Sequence, residues 1–243
     1  MNKDELELRK GIIAACRAMN SLGINQGTSG NISARYGANM LITPSGVPYE
    51  DLKPGDIAVM PIEGEYGSWK GPLNPSSEWR FHLDIMRSRR DVGSVVHTHS
   101  TYATTLAICG KEIPAIHYMV AAAGGPNVRV APYATYGTKE LSEHAIKALE
   151  GRTCCLLRNH GVIATGSNLK RALWLAVEIE TLAKQYYLSL AVGDAQILPD
   201  GEIVQVIEKF KNYGPKAKPK AAVKKKAAAK SKPAAKKTAK RKK

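Results

Sequence analysis

Three histidines stand where two short apolar runs end. His97 and His99 close Val95-Val96-His97-Thr98-His99, and His160 follows Cys154-Cys155-Leu156-Leu157 in the turn Arg158-Asn159-His160-Gly161. Residues i and i+2 of a strand face the same way, so His97 and His99 present two imidazoles on one side. Taken alone, that pair reads equally as two ligands of one metal ion or as two hydrogen-bonded side chains at a strand end. His160, at the end of a second strand, makes the set more telling. Three histidines with an open fourth position form a catalytic zinc arrangement. His82 and His144 fall on helical patterns and read as surface or internally satisfied side chains. His117, beside Tyr118, stays open between roles.

A second constellation is Pro75-Ser76-Ser77-Glu78-Trp79-Arg80. Ser76 or Ser77 can cap a helix running to about Arg87, with Glu78 in its first turn, where a helix N-terminus favours an anion. The same place offers two hydroxyls and free backbone N–H groups, which suit a phosphate. A carboxylate one residue further on is a proton-transfer candidate. Two glycine turns, Gly27-Thr28-Ser29-Gly30-Asn31 and Thr43-Pro44-Ser45-Gly46, are a third feature. Such loops can cradle phosphate with backbone N–H groups, and they serve equally as plain turns. Neither is followed by Gly-Lys-Ser/Thr, so a P-loop is excluded, and no G-x-G-x-x-G is present.

The elements that must position these residues follow from periodicity. Leu8, Ile12, Cys16 and Met19 form one stripe of a helix over 4–22 that Gly23 ends. Short strands are expected at 32–35, 40–43, 56–60, 94–99, 128–131, 153–157 and 161–165, with 62–75 a loop. Helices are expected at 101–109, from Thr138 to Gly151, from an Asn168 cap to about Val192, and over 200–212. Short strands mixed with helices, without strict βαβ alternation, indicate a single α/β domain with a mostly antiparallel central sheet between helix layers.

Charge divides the chain. Of 36 Lys+Arg, 14 lie in residues 215–243, which hold none of the 21 Asp+Glu. Residues 1–214 are therefore almost neutral, and the net charge of +15 belongs to the Lys/Ala/Pro-rich end. The domain boundary falls at 214/215. A segment of that composition cannot build a core, so disorder is expected, and it reads equally as a site of non-specific contact with nucleic acid or an anionic surface or as a solvating extension without a dedicated partner. No 18-residue apolar run occurs, so no membrane insertion is expected. The acidic start Met1–Glu7 does not read as a signal peptide. Four cysteines without C-x-x-C fit reduced thiols in the cytoplasm.

Taken in order over about residues 5–214, these motifs resemble the class II aldolase/adducin family, in particular its L-fuculose 1-phosphate aldolase branch. Ile113–Tyr118 and Ala131–Gly137 are similar to that branch too. The resemblance implies one Zn²⁺ per subunit held by His97, His99 and His160, with Glu78 as fourth ligand and as acid/base. It implies that Thr28, Asn31, Ser45, Gly46, Ser76 and Ser77 bind the phosphate of a ketose phosphate. It further implies a homotetramer in which Tyr118, also catalytic, and Tyr213 reach the neighbouring subunit's site. The reaction implied is retro-aldol cleavage of a ketose 1-phosphate to dihydroxyacetone phosphate and an aldehyde such as L-lactaldehyde. The sugar could equally be a deoxy-pentulose or methylthioribulose 1-phosphate. Related alternatives are a pentulose-phosphate 4-epimerase, where Asp replaces Glu78, a methylthioribulose-phosphate dehydratase, and a non-enzymatic adducin-like assembly module.

Overall fold

The computed structural model describes residues 1–211. The Tyr213 position and the 215–243 segment lie outside the described residues. Helix α1 spans Lys3–Ser21, and the Asn2 side chain accepts from the Glu5 N–H at 2.9 Å to cap it. Strands β1 (Asn31–Tyr36), β2 (Asn39–Ile42) and β3 (Ala58–Pro61) follow as a meander. Next come α2 (Trp79–Ser88), β4 (Ser94–Thr98), α3 (Thr101–Ile108) and β5 (Val130–Ala131). Helix α4 (Lys139–Ala148), the hairpin β6 (Cys154–Leu157) and β7 (Gly161–Gly166), and helices α5 (Leu169–Val192) and α6 (Asp200–Lys211) complete the described chain.

The seven strands form one sheet in the order β3-β2-β1-β4-β7-β6-β5, antiparallel except for the β5–β6 pair. Strand alternation sends successive residues into two cores. Ile32, Ala34, Leu41, Val96, Leu156 and Val162 pack under α1, α3 and α5. Met40, Ile42, Met60, Val95, Leu157 and Ile163 pack under α2 and α4. The adjacent cysteines obey the same rule, with Cys154 in the first core and Cys155 in the second. Burial pushes the Cys154 thiol up to about 12, so it behaves as a small apolar side chain.

The expected elements are present with shifted ends. Pro54–Asp56 is a 3-10 turn, which delays β3 to Ala58. The expected strand over 128–131 is only two residues long, because Val128 instead pairs with Ile113 in an isolated bridge. Tyr118–Ala123 forms a 3-10 turn that periodicity did not reveal, and the His117 side chain caps it by accepting from the Met119 N–H at 3.2 Å. Thr138 and Asn168 cap α4 and α5 as expected.

Candidate metal centre

His97 is fully buried in the central strand β4. Its Nδ1 lies 2.9 Å from the Val162 carbonyl. A carbonyl only accepts, so Nδ1 carries a proton, and Nε2 is the nitrogen left to face the site. This is the backbone bond that typically orients a metal-binding histidine. His99 sits one residue past the end of β4, with its Nε2 3.0 Å from His97 Nε2. Burial, then the neighbouring His97 and His160, hold the His99 ring down to about 4, so it is neutral at pH 7.

His160 reaches the same point through hairpin geometry. β6 and β7 pair with Leu157 opposite Gly161, leaving a three-residue loop. Asn159 takes the left-handed conformation there (φ 54°), which asparagine tolerates better than most residues. Gly161 is required by space. A Cβ at this position would lie 2.4 Å from the Thr98 carbonyl oxygen and 2.8 Å from His99 Cδ2. The absent side chain lets the hairpin close on the histidines.

Glu78 comes from the other side of the site. The sequence puts it in the first turn of a helix capped by Ser76 or Ser77; in the structure Glu78 is itself the residue before α2. Its carboxylate makes no bond to the helix end and turns to the histidines instead. Oε2 lies 3.2 Å from His97 Nε2, and Oε1 lies 3.1 Å from His160 Nε2. Burial alone would raise this carboxyl, but His97 and His160 outweigh it and hold the group well below the usual carboxylate range.

One ligand atom from each of Glu78, His97, His99 and His160 falls within 4.8 Å of the others. Glu78 Oε1 is buried without a hydrogen-bond partner. A buried anionic oxygen left without a donor, facing imidazole nitrogens, is costly unless a cation joins it. The donor set, three imidazoles and one carboxylate, suits zinc among the borderline divalent ions. The residues therefore fit a bound divalent metal.

The phosphate candidates lie on turns laced together beside this cluster. The Thr43 N–H donates to the Ile32 carbonyl, Ser76 N–H to the Thr43 carbonyl, and Ser45 N–H to the Asn74 carbonyl. This joins the segments carrying Asn31, Ser45 and Gly46, and Ser76 and Ser77. The Gly27–Asn31 turn meets the site at Gly30, where an added Cβ would stand 2.6 Å from the His97 carbonyl oxygen. Thr28, Ser45, Gly46 and Ser77 are exposed, while Ser76 is buried and its Oγ accepts from the Glu78 N–H at 3.3 Å. Tyr118 is exposed on its 3-10 turn, with its ring against His117.

Asn31 does more than the sequence indicated. It sits directly across from His97 in the β1–β4 register, and its Nδ2 donates to Glu78 Oε2 at 3.0 Å. His82, expected to be on the surface or satisfied, is satisfied and fully buried between Asn31 and Ser33. Spacing carried the signal: Glu78 and His82 are four apart, and Asn31 and Ser33 are two apart on a strand.

Comparison with known proteins agrees with this geometry. The sequence pattern described as the class II aldolase and adducin N-terminal domain matches residues 10–187. A 5-methylthioribulose-1-phosphate/5-deoxyribulose-1-phosphate aldolase of Rhodospirillum rubrum is 54% identical over 217 residues, 89% of this chain and 97% of its own. The L-fuculose phosphate aldolase of Escherichia coli (strain K12) is 51% identical over 209 residues, 86% of this chain and 96% of its own. A solved L-fuculose 1-phosphate aldolase superposes with a TM-score of 0.82 at 42% identity, covering 87% of this chain and 98% of that one.

Proposed function

The chain belongs to the class II aldolase and adducin family, and from that premise we propose that it is a zinc-dependent aldolase cleaving a ketose 1-phosphate with a deoxygenated end. The products are dihydroxyacetone phosphate and a short aldehyde with an apolar terminus. L-Fuculose 1-phosphate would give L-lactaldehyde; a 5-deoxy- or 5-methylthio-ribulose 1-phosphate would give acetaldehyde or its methylthio derivative. The carrying observation is the convergence of Glu78, His97, His99 and His160 on one point beside three laced turns. An intact ligand set and aldolase relatives at 51–54% identity argue against the adducin-like assembly role. They also favour aldol cleavage over epimerase or dehydratase chemistry.

When bound, the divalent ion supplies Lewis-acid stabilisation of negative charge beside the substrate carbonyl. The chain's own residues do the rest. Thr28, Ser45, Gly46, Ser76 and Ser77 hold the phosphate with hydroxyls and backbone N–H groups, and Asn31 adds its uncommitted amide hydrogen. Cleavage breaks the C3–C4 bond, leaves the electron pair on C3, and turns the C4 hydroxyl into the aldehyde carbonyl. Glu78, protonated from solvent as substrate binds, delivers the proton that C3 gains and ends as the carboxylate. Tyr118 of a neighbouring subunit, whose exposure in the single chain suits that role, relays the proton leaving the C4 oxygen, its phenol oxygen accepting that proton as its own passes to solvent. The family resemblance assigns Tyr213, outside the described residues, to the neighbouring subunit's site in a homotetramer.

The basic segment 215–243 is a separate module that binds polyanions without sequence preference, and nucleic acid is the partner its composition favours. Among the described residues no helix is long and apolar enough to cross a membrane. The four cysteines are free, consistent with a reducing compartment.

The test is release of dihydroxyacetone phosphate from a panel of ketose 1-phosphates, with and without chelator. Chelator-sensitive release from deoxy-terminated sugars is expected. No release from any of them by zinc-loaded protein would reject the aldolase reading.

A further inference from the structure

Helix α2 turns an apolar face to the sheet, built of Phe81, Ile85 and Met86, and one polar side chain interrupts it. That side chain, His82, has no exposed surface. Both of its nitrogens are engaged. Nδ1 lies 2.7 Å from Ser33 Oγ, and Nε2 lies 2.5 Å from Asn31 Oδ1. Asn31 in turn donates from Nδ2 to Glu78 Oε2 at 3.0 Å.

We propose that His82 is a positioning residue, which orients Asn31 so that its amide pins one oxygen of Glu78 and leaves the other free for the metal and for proton transfer.

The direction of every bond in the chain is forced from its Glu78 end. An ionised carboxylate only accepts, so Asn31 must present its NH₂ to Glu78 and its carbonyl oxygen to His82. A carbonyl oxygen also only accepts, so His82 must carry its proton on Nε2. The bare Nδ1 then accepts from the Ser33 hydroxyl. No link can reverse without leaving a buried polar group unpaired, at a cost that fixes the order. The result splits the Glu78 carboxylate. Oε2 is held by Asn31, and Oε1 is the buried oxygen without a hydrogen-bond donor. A carboxylate that both ligates a metal and moves a proton must swing about a fixed point, and the Asn31 amide supplies that point. The same bonds turn the Asn31 oxygen toward His82 and leave its second amide hydrogen to meet a substrate.

The functional consequence rests on the aldolase reading, but the bond order does not. Two arms separate them. In the first, long-range ¹H–¹⁵N spectra of the full chain, metal-free at pH 7, report the His82 tautomer. A neutral ring protonated on Nε2, with a shift that moves in Asn31→Ala, is expected. A ring protonated on Nδ1, or a cationic ring, overturns the proposal. In the second, His82→Phe keeps the ring volume and removes both bonds. Its kcat for cleavage should fall about 10- to 100-fold with KM within about 3-fold, because misplacing a reacting group by about 1 Å costs that order. His82→Gln, which restores a donor to Asn31, should recover most of the loss. A folded His82→Phe with wild-type kcat overturns the proposal. If His82→Phe does not fold, the spectra decide alone. If wild-type protein cleaves no ketose phosphate, the aldolase reading falls while the spectra still decide the bond order.

Discussion

Glu78 meets two demands with one carboxylate, and each has its own measurable consequence. On the proposed mechanism it would share the metal, as a ligand, with His97, His99 and His160; as an acid/base it would have to be able to leave. Glu78→Gln keeps the shape and removes the charge. Its kcat should fall by about 10²–10⁴, the usual range for a general acid/base, while elemental analysis still finds part of the zinc. His97→Ala should lose both zinc and activity, since its Nε2 lies 3.2 Å from Glu78 and 3.0 Å from His99. Acid stability carries a second signature. Burial, and then the charge environment at His97, hold His82 down to about 3 in the fold, whereas an unfolded histidine takes its proton near 6.5. Between those values the unfolded chain binds more protons, so stability falls as pH falls, with a slope for this one group that steepens from about half of 1.4 kcal/mol per pH unit at pH 6.5 toward the full value near pH 5. Urea unfolding of metal-free protein between pH 6.5 and 5 should show a shallower decline in His82→Gln by that slope. Equal slopes would mean that the His82 ring protonates in the fold as it does outside it.

At the scale of elements, the site is an agreement among strand ends. β4 and the residue that follows it supply two histidines, the β6–β7 hairpin a third, and the turn before α2 the carboxylate. Gly161 is where these meet most closely. Gly161→Ala forces a Cβ to within 2.4 Å of a backbone oxygen on β4, so the hairpin must retreat. The expected result is a lower melting temperature and loss of stoichiometric metal, from a substitution that removes no ligand; unchanged zinc content would show that the hairpin has room to yield. Much of this was legible in the chain. The period-2 run Val95–His99 and the apolar run ending at Leu157 located both strand ends, and Glu78 announced itself beside two serines. What stayed hidden depended on contacts far apart in sequence. Glu78 was expected inside the helix, because local capping rules know nothing of the histidines that draw its carboxylate away. His82 looked like an ordinary helical histidine, because its partners Ser33 and Asn31 lie 49 and 51 residues distant. The Tyr118–Ala123 turn was missed because its residues, Tyr-Met-Val-Ala-Ala-Ala, carry no periodic signal.

At the scale of the whole chain, charge separates two segments that sequence adjacency joins. The relatives at 51–54% identity are matched over 96–97% of their own length yet leave more than a tenth of this chain unmatched. Residues 215–243 hold 14 basic and no acidic side chains, so removing them takes the net charge from +15 to +1. Val223 is the one aliphatic side chain there larger than alanine, and no aromatic is present. Insertion into a lipid interface needs apolar anchors that this composition lacks, whereas phosphate neutralisation needs only lysine and arginine. Full-length protein should therefore bind duplex DNA of any sequence. The logarithm of its affinity should fall linearly with the logarithm of salt concentration, by about 0.9 per phosphate neutralised. For six to ten such contacts that is a loss of about 10³–10⁵ between 50 and 200 mM salt. A chain ending at Gly214 should lose this binding at low salt and keep kcat and KM, because the residues assigned to metal and phosphate all lie before 161 and Tyr213 is retained. Retained binding would move the polyanion surface onto the near-neutral domain. Altered kinetics would mean that the basic segment reaches the active site, where the substrate phosphate is itself an anion it could attract.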